Sequence, residues 1–430
     1  MSQTFMLNRS LRRTALALAM TALMGSMTAP AHAQIASILP TDATFATWVQ
    51  RHPLWRAQAA QSQAEQQQAE QRRAGPHEWT PSLMVGRRQV AAEAATPSTR
   101  EREWEATLER GIRLPGKQLA AEQASQQQQR LSAQRMQQTW RQLALQALTQ
   151  YSDWLREASL TTLWQAQVNL LTRETQATDK RQRLGDASRV DSAQIQAALS
   201  QAQWQAQAAQ QRKEARGRQL QSQFPGWPLT MPTAPQQPPT DALDVPAVTD
   251  ALVANDPEWR TAQLEADQAL TLARLDQREQ TPDPTVGLKL AQSRNSAEKM
   301  LGVTLSWPIG GAARSHSAQA SAAQAEAARQ RAEWAHTQAQ QGYTQARQNV
   351  TDSLQRWQLA HAAWQQLQNV AMSLEKGFWL GEGSLNELLQ ARRLANDQAQ
   401  VAAQAEVDHL LARWTWQVMT GTLWAPSSAL

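Results

Sequence analysis

Two stretches of about 67 residues, Gly116 to Arg183 and Gly311 to Phe378, are almost free of glycine and proline and rich in Ala, Gln, Leu, Arg and Glu, all good helix formers. At 1.5 Å per residue each would be a rod of about 100 Å. No ordinary globular domain uses two such rods, so everything else in the chain has to be arranged around them. The rods are also copies of one another. His52-Pro53-Leu54-Trp55-Arg56 returns as Asp256-Pro257-Glu258-Trp259-Arg260. Ala121-Glu122-Gln123-Ala124-Ser125 returns as Ser317-Ala318-Gln319-Ala320-Ser321, and Leu184-Gly185-Asp186-Ala187-Ser188 as Leu380-Gly381-Glu382-Gly383-Ser384. Three echoes in one order, each about 200 residues on, indicate a duplication.

Each half has the same grammar. A helix of about 33 residues (Asp42 to Ala74; Asp250 to Gln280) leads to prolines, then to two short alternating segments, a long helix, a glycine turn and a last helix of about 35 residues. The short helices, one from each half, sum to about one long helix, so two long and two composite rods could stand side by side. The expected layout is a leader at 1–33, a first repeat at 34–224, a Pro-rich linker at 225–246 and a second repeat at 247–430. Strands are expected at about 82–90 and 102–114, and at about 284–292 and 300–309; the long helices are expected at about 116–183 and 311–378.

The leader reads as a signal peptide. Arg9, Arg12 and Arg13 precede an apolar stretch from Thr14 to Met24, and Ala31-His32-Ala33 is an A-x-A cleavage site. Export follows, and the formal charge of +5 falls to +2 once those three arginines are removed. A basic composition of that kind does not point to nucleic acid. The chain has no cysteine, which excludes disulfides, thiol chemistry, Cys-rich zinc modules and a lipidated cysteine anchor. Beyond the leader no apolar run approaches the roughly 18 residues of a spanning helix. If the chain crosses a membrane, it does so with strands.

The alternating segments suit that role. Leu301, Val303, Leu305, Trp307 and Ile309 alternate with small or polar residues. So do Trp104, Ala106, Leu108 and Ile112, with Arg110 breaking the series, and so do Val286, Leu288 and Leu290; Leu83 to Val90 is weaker. Period two over about 8–11 residues fits a strand with one apolar and one wet face, in a membrane barrel or in a surface hairpin. Four strands cannot close a membrane barrel, whose smallest single-chain form has about eight. Open edges in lipid would leave backbone groups unpaired. Several chains would have to share one barrel, eight strands from two copies or twelve from three.

With these residues in view, the chain resembles outer-membrane efflux proteins of the TolC family. The resemblance rests on the duplicated order and on Leu114-Pro115-Gly116-Lys117-Gln118 at the start of the long helix, with its counterpart Trp307-Pro308-Ile309-Gly310-Gly311. It rests also on the twin turns Arg183-Leu184-Gly185-x-x-Ser188 and Leu380-Gly381-x-Gly383-Ser384-Leu385. It covers nearly the whole mature chain. It implies a mainly α protein with a small β part: a homotrimeric α-helical barrel topped by a shared twelve-stranded transmembrane β-barrel. It also implies an outer-membrane exit duct that works with a periplasmic adaptor and an inner-membrane pump. The Leu-Pro-Gly-Lys segment most resembles the heavy-metal cation branch, which favours metal cations as cargo over drugs or small organics.

The turns carry the candidate site. Gly185-Ser188-Asp191 and Gly381-Ser384-Glu387 share one spacing, in which glycine ends a helix, serine caps the next and the acid completes a capping box. Capping alone accounts for the pattern. The resemblance adds a second reading, in which Asp191 and Glu387 form a pore constriction and Arg183, Leu184, Gly185, Ser188, Leu380, Gly381, Gly383 and Ser384 form the tips that meet the adaptor. The family's next entrance carboxylate is Gln390 in this chain. The seven histidines are scattered, so no protein-made metal site is expected. No catalytic motif is present, and neither catalytic residues nor a cofactor are expected. Of the 18 Trp, those at helical positions such as Trp140, Trp154, Trp164 and Trp204 read as rod-to-rod packing, while Trp79, Trp104 and Trp307 sit where an interfacial belt would fall. The other reading is a periplasmic coiled-coil adaptor or scaffold with no barrel. An adaptor would be expected to flank its hairpin with β-rich units, whereas here the β-like segments lie at the opposite ends of the long helices.

Overall fold

The structure, a computed structural model, describes residues 38–90, 98–231, 237–239, 245–294 and 297–426. The expected leader at 1–33 and parts of the linker lie outside the described residues. The first repeat comprises α1 (Asp42–Arg51), α2 (Pro53–Ala74), β1 (Trp79–Val90), β2 (Thr99–Gly111), α3 (Pro115–Leu184) and α4 (Arg189–Gln223). The second comprises α5 (Asp250–Ala254), α6 (Pro257–Glu279), β3 (Thr285–Ser293), β4 (Glu298–Ser306), α7 (Ala312–Leu380) and α8 (Leu385–Met419).

The first helix of each repeat is broken where the sequence suggests continuity. Proline has no N–H and disfavours helical backbone in the residue before it. His52 and Asp256, each preceding a proline, are accordingly extended and cap the next helix. His52 Nδ1 accepts from Leu54 N–H at 3.2 Å. Asp256 Oδ1 accepts from Glu258 and Trp259 N–H, both at 3.0 Å. Strand ends shift for the same reason: β4 stops at Ser306, so Trp307 and Ile309 lie beyond it, next to donor-less Pro308. β1 also contains Pro81, near its helix end, a residue that can donate no ladder hydrogen bond; within the single chain β1 has a strand partner on one side only.

The helices form one layer of four rods. α2 runs antiparallel along the sheet-side half of α3, where Ser125 Oγ donates to Ala69 O at 2.7 Å and Ser132 Oγ to Ser62 Oγ at 2.6 Å. α4 covers the other half, from Ser192–Asp179 (2.9 Å) to Gln146–Gln223 (2.8 Å). Both short helices of a composite rod therefore come from the same repeat, not one from each, because a tight turn returns each last helix onto its own long partner. α6 and α8 line α7 in the same way, with Ser321 on Asp276 and Tyr343 Oη donating to Met419 O at 3.0 Å. They also pack on α3, through Arg135–Glu265 and Arg156–Asp408, both 2.8 Å. The order is α2/α4, α3, α6/α8, α7. Ala120 and Ala121 pack on Leu275 at the α3–α6 contact and let the rods approach closely.

Each strand continues a rod, so the antiparallel sheet β1-β2-β3-β4 repeats the rod order. Its open edges, β1 and β4, stand above the open rod edges, α2/α4 and α7. Register sorts the faces. Leu83, Val85, Trp104, Ala106, Leu108, Leu288, Leu290, Leu301, Val303 and Leu305 share one face. Glu105, Thr107, Lys289 and Thr304 share the other, with Lys289 paired to Glu105 at 2.7 Å. On the apolar face, paired Trp79↔Arg110 marks the helix end and paired Arg87↔Arg102 the far end. Arg110, the residue that interrupts the apolar series, lies at this border with its guanidinium 5.3 Å from the Trp79 ring centroid.

Halfway down the rods lies an aromatic core. Phe45 and Trp48 of α1, Trp140, Tyr151 and Trp154 of α3, Trp227 and Trp424 gather where α4 meets α1–α2 and where both ends of the described chain dock. Phe45 stacks on Trp424 at 4.2 Å, and Trp140 Nε1 donates to Trp424 O at 2.7 Å. Trp140 and Trp154 thus pack as the sequence suggests. Trp204 does not: it stands 65% exposed on α4, whose outward side has no neighbouring rod among the described residues.

A buried histidine gives this region a pH dependence. His409 of α8 stacks on Trp357, and its Nδ1 lies 3.1 Å from Ser353 Oγ. Burial, helped by the charge of Arg413, lowers its pKa to about 4. Because the unfolded chain binds this proton more readily, stability is full above about pH 6.5 and falls toward pH 4, by on the order of 3 kcal/mol. Urea midpoints measured from pH 7.5 to 4.5 should fall more steeply for the native chain than for His409→Gln.

Candidate functional site

The twin turns form at the rod ends opposite the sheet. α3 ends at Gly185 (φ 86°) and α7 at Gly381 (φ 83°), both left-handed. The next N–H closes each turn: Asp186 N–H donates to Arg181 O at 2.8 Å and Glu382 N–H to Gly377 O at 2.9 Å. Among the described residues no atom would meet a Cβ at either glycine, so glycine is favoured there by backbone conformation rather than space. Ser188 and Ser384 then cap α4 and α8. Ser188 Oγ accepts from Asp191 N–H at 3.0 Å, and Asp191 Oδ2 accepts from Ser188 N–H at 3.1 Å. The Ser384–Glu387 pair repeats this, with both bonds at 3.2 Å. Asp191 is half-buried and Glu387 exposed.

The two turns are neighbours. The Arg181 guanidinium lies 5.1 Å from the Phe378 ring and 5.8 Å from Trp379, tying the end of α3 to the end of α7. Leu385, the first residue of α8, is buried with Leu171 of α3 and Ile195 of α4. Around this junction Arg183, Gly185, Ser188, Gly381 and Ser384 are exposed and Gly383 is half-buried. Leu184 and Leu380 stand 78% and 76% exposed at the extreme end, a large apolar outlay for a free surface.

Two charge clusters escaped the sequence reading. Near the tips, buried Arg392 of α8 pairs with buried Glu174 of α3 and, at 3.1 Å, with Glu375 of α7. One guanidinium thus joins three rods and both repeats. Burial and the charge of Arg173 lower its pKa to about 10, which leaves it charged at neutral pH. Its signal was an arginine in the buried 3–4 series Leu385, Leu388, Arg392, Ala395, Ala399. At the sheet end, buried Lys117 reaches Glu279 at 2.8 Å and Asp283 at 3.0 Å. Asp283 also takes Leu114 N–H and His77 Nε2, each at 3.2 Å. Burial works to raise the Asp283 carboxyl, but the bond and charge of Lys117, with Leu114 and His77, outweigh it and hold the carboxyl below its usual value.

No protein-family model matches the sequence, and no curated protein matches it. Solved structures do. The outer membrane protein VceC of Vibrio cholerae superposes with a TM-score of 0.67 at 13% identity, over 88% of this chain and 96% of that one. CusC, whose structures concern folding and transmembrane channel formation, gives 0.66 at 13%, over 89% and 93%. The open-state outer membrane channel MtrE of Neisseria gonorrhoeae gives 0.59 at 15%, over 88% of each chain. The chain therefore has the mainly helical, TolC-like fold of these outer-membrane channels.

Proposed function

We propose that three copies join edge to edge as a passive exit duct in the outer membrane of a Gram-negative bacterium, conducting cargo delivered by an inner-membrane pump and a periplasmic adaptor. The observation that carries this reading is the matched pair of open edges. β4 with α7 on one side, and β1 with α2/α4 on the other, leave unpaired strand and rod on both flanks of one chain. Such unlike edges satisfy each other head to tail, and the contact repeats until a ring closes. Three chains bring twelve strands, within the range of bacterial barrels. The apolar face supports the same placement. From Trp79 to Arg87 it runs about 26 Å along the strand, or about 20 Å across once the strand tilts as in a barrel, near the apolar band of about 25 Å. Among the described residues no helix is long and apolar enough to cross a membrane. A scaffold without a barrel would leave this face bare in water.

In this reading the tips at Arg183, Leu184, Gly185, Ser188, Leu380, Gly381, Gly383 and Ser384 meet the adaptor, and Asp191 and Glu387 line the pore constriction. The duct has no catalytic role. Metal cations are the favoured cargo, with drugs or small organics the alternative. Lys117 is spent on the sheet–rod junction, so the metal preference rests on the resemblance and on the two carboxylates rather than on that lysine.

The entrance is testable. Six carboxylates in one narrow ring repel one another, and a multivalent cation bound there would relieve the repulsion and block current. Asp191→Asn with Glu387→Gln keeps shape and much of the capping while removing charge. Block and cation preference should drop in single-channel recordings, with melting little altered. If the residues only cap, the change costs about 0.3–1 kcal/mol per helix end and conduction stays as it was.

A further inference from the structure

At the helix-end border of the sheet's apolar face lies an open cavity of about 690 Å³. Leu108, Leu288 and Val303 form its apolar wall, and Arg110, Arg113 and His77 its polar side. The two arginines are held by neutral groups. Arg110 Nε donates to His77 O at 3.1 Å while its guanidinium lies against Trp79. Arg113 Nη1 donates to Arg72 O at 3.0 Å and to Gln118 Oε1 at 3.4 Å. Among the described residues no carboxylate lines the cavity, and neither arginine belongs to an ion pair. Two acids touch lining residues from behind: Asp283 reaches His77 and is committed to Lys117, and Glu122 accepts from Gln118.

Two cations beside an apolar wall, with no carboxylate lining the cavity, ask for an amphiphilic anion. Arginine binds phosphate through its planar fork of donors, and basic pockets at a membrane border take anionic headgroups. The volume lies within the range of ligand sites, enough for a headgroup and the first part of a chain. We propose that this cavity binds an anionic phospholipid of the inner leaflet, with the phosphodiester at Arg110 and Arg113 and an acyl chain along Leu108, Leu288 and Val303. The inner leaflet follows from the cavity's place at the rod end of the sheet. The proposal rests on the reading that the sheet crosses the outer membrane. A zwitterionic headgroup should bind less well, since its ammonium would meet guanidiniums and no carboxylate.

The test is native mass spectrometry of the detergent-extracted assembly, titrated with phosphatidylglycerol or phosphatidylcholine. Phosphatidylglycerol should be retained about tenfold better, a difference of about 1.4 kcal/mol. Arg110→Gln with Arg113→Gln should abolish that preference. Arg113 also holds the end of α2, so Arg110→Gln alone and the lipid comparison on the native chain keep the test independent of folding. Equal retention of both lipids by an intact membrane-extracted oligomer would overturn the site and leave the duct standing. Displacement of the lipid by millimolar inorganic phosphate would make it a free-anion site and overturn the lipid assignment. A soluble monomer would overturn the duct itself, and this site with it.

Discussion

Trp227→Ala is expected to cost about 3–5 kcal/mol, among the largest single-residue losses available in this chain. Trp227 is 1% exposed in the mid-rod core. Its ring stacks on Trp48 at 5.2 Å and packs against Tyr151 at 5.6 Å and Trp424 at 5.8 Å. These neighbours come from α1, α3 and the segment after α8, so no single element can move to fill the space. Among the described residues the indole Nε1 has no hydrogen-bond partner, so only shape and apolar contact should matter. Trp227→Phe should therefore cost far less, about 1–2 kcal/mol. Urea unfolding of the two variants, followed by tryptophan fluorescence, checks the order.

Arg392→Met should be comparably damaging for an electrostatic reason. Removing one partner of a buried ion pair leaves the other charge stranded, at a cost of about 3–5 kcal/mol. Here the stranded group is Glu174, buried on α3; Glu375 is more exposed and can turn to water. Replacing both buried partners, Arg392→Met with Glu174→Met, should recover most of the loss, because a fully apolar substitute has no charge to strand. The double variant should melt close to the native chain. A double variant as unstable as Arg392→Met alone would mean that the side chain matters for its packing, not its charge.

Local order was legible and neighbourhood was not. The long rods, the turns at Gly185 and Gly381 and both capping boxes follow from rules that act within a few residues, and those elements form at these positions. The breaks before Pro53 and Pro257 were equally local, but the helical periodicity on either side masked them. Which short helix lies beside which long one depends on contacts far apart in sequence, and the pairing within each repeat could not be read from lengths that merely sum correctly. Trp204 looks like its buried counterparts in sequence and differs only in lacking a neighbouring rod. Arg392 and Lys117 were hidden for a related reason: a buried charge is recognised by its partners, and Glu174, Glu279 and Asp283 lie on other elements.

The most direct test of the duct is the native mass of the protein extracted with detergent from purified outer membranes. Three chains in one particle are expected, since each chain has one open edge of each kind and three supply twelve strands. The particle should dissociate when β1–β4 pairing is blocked, for example by Val303→Pro in β4, an edge strand of the isolated chain that becomes an interior strand of the ring. A protein found as a soluble monomer would contradict this assembly, and with it the proposed duct.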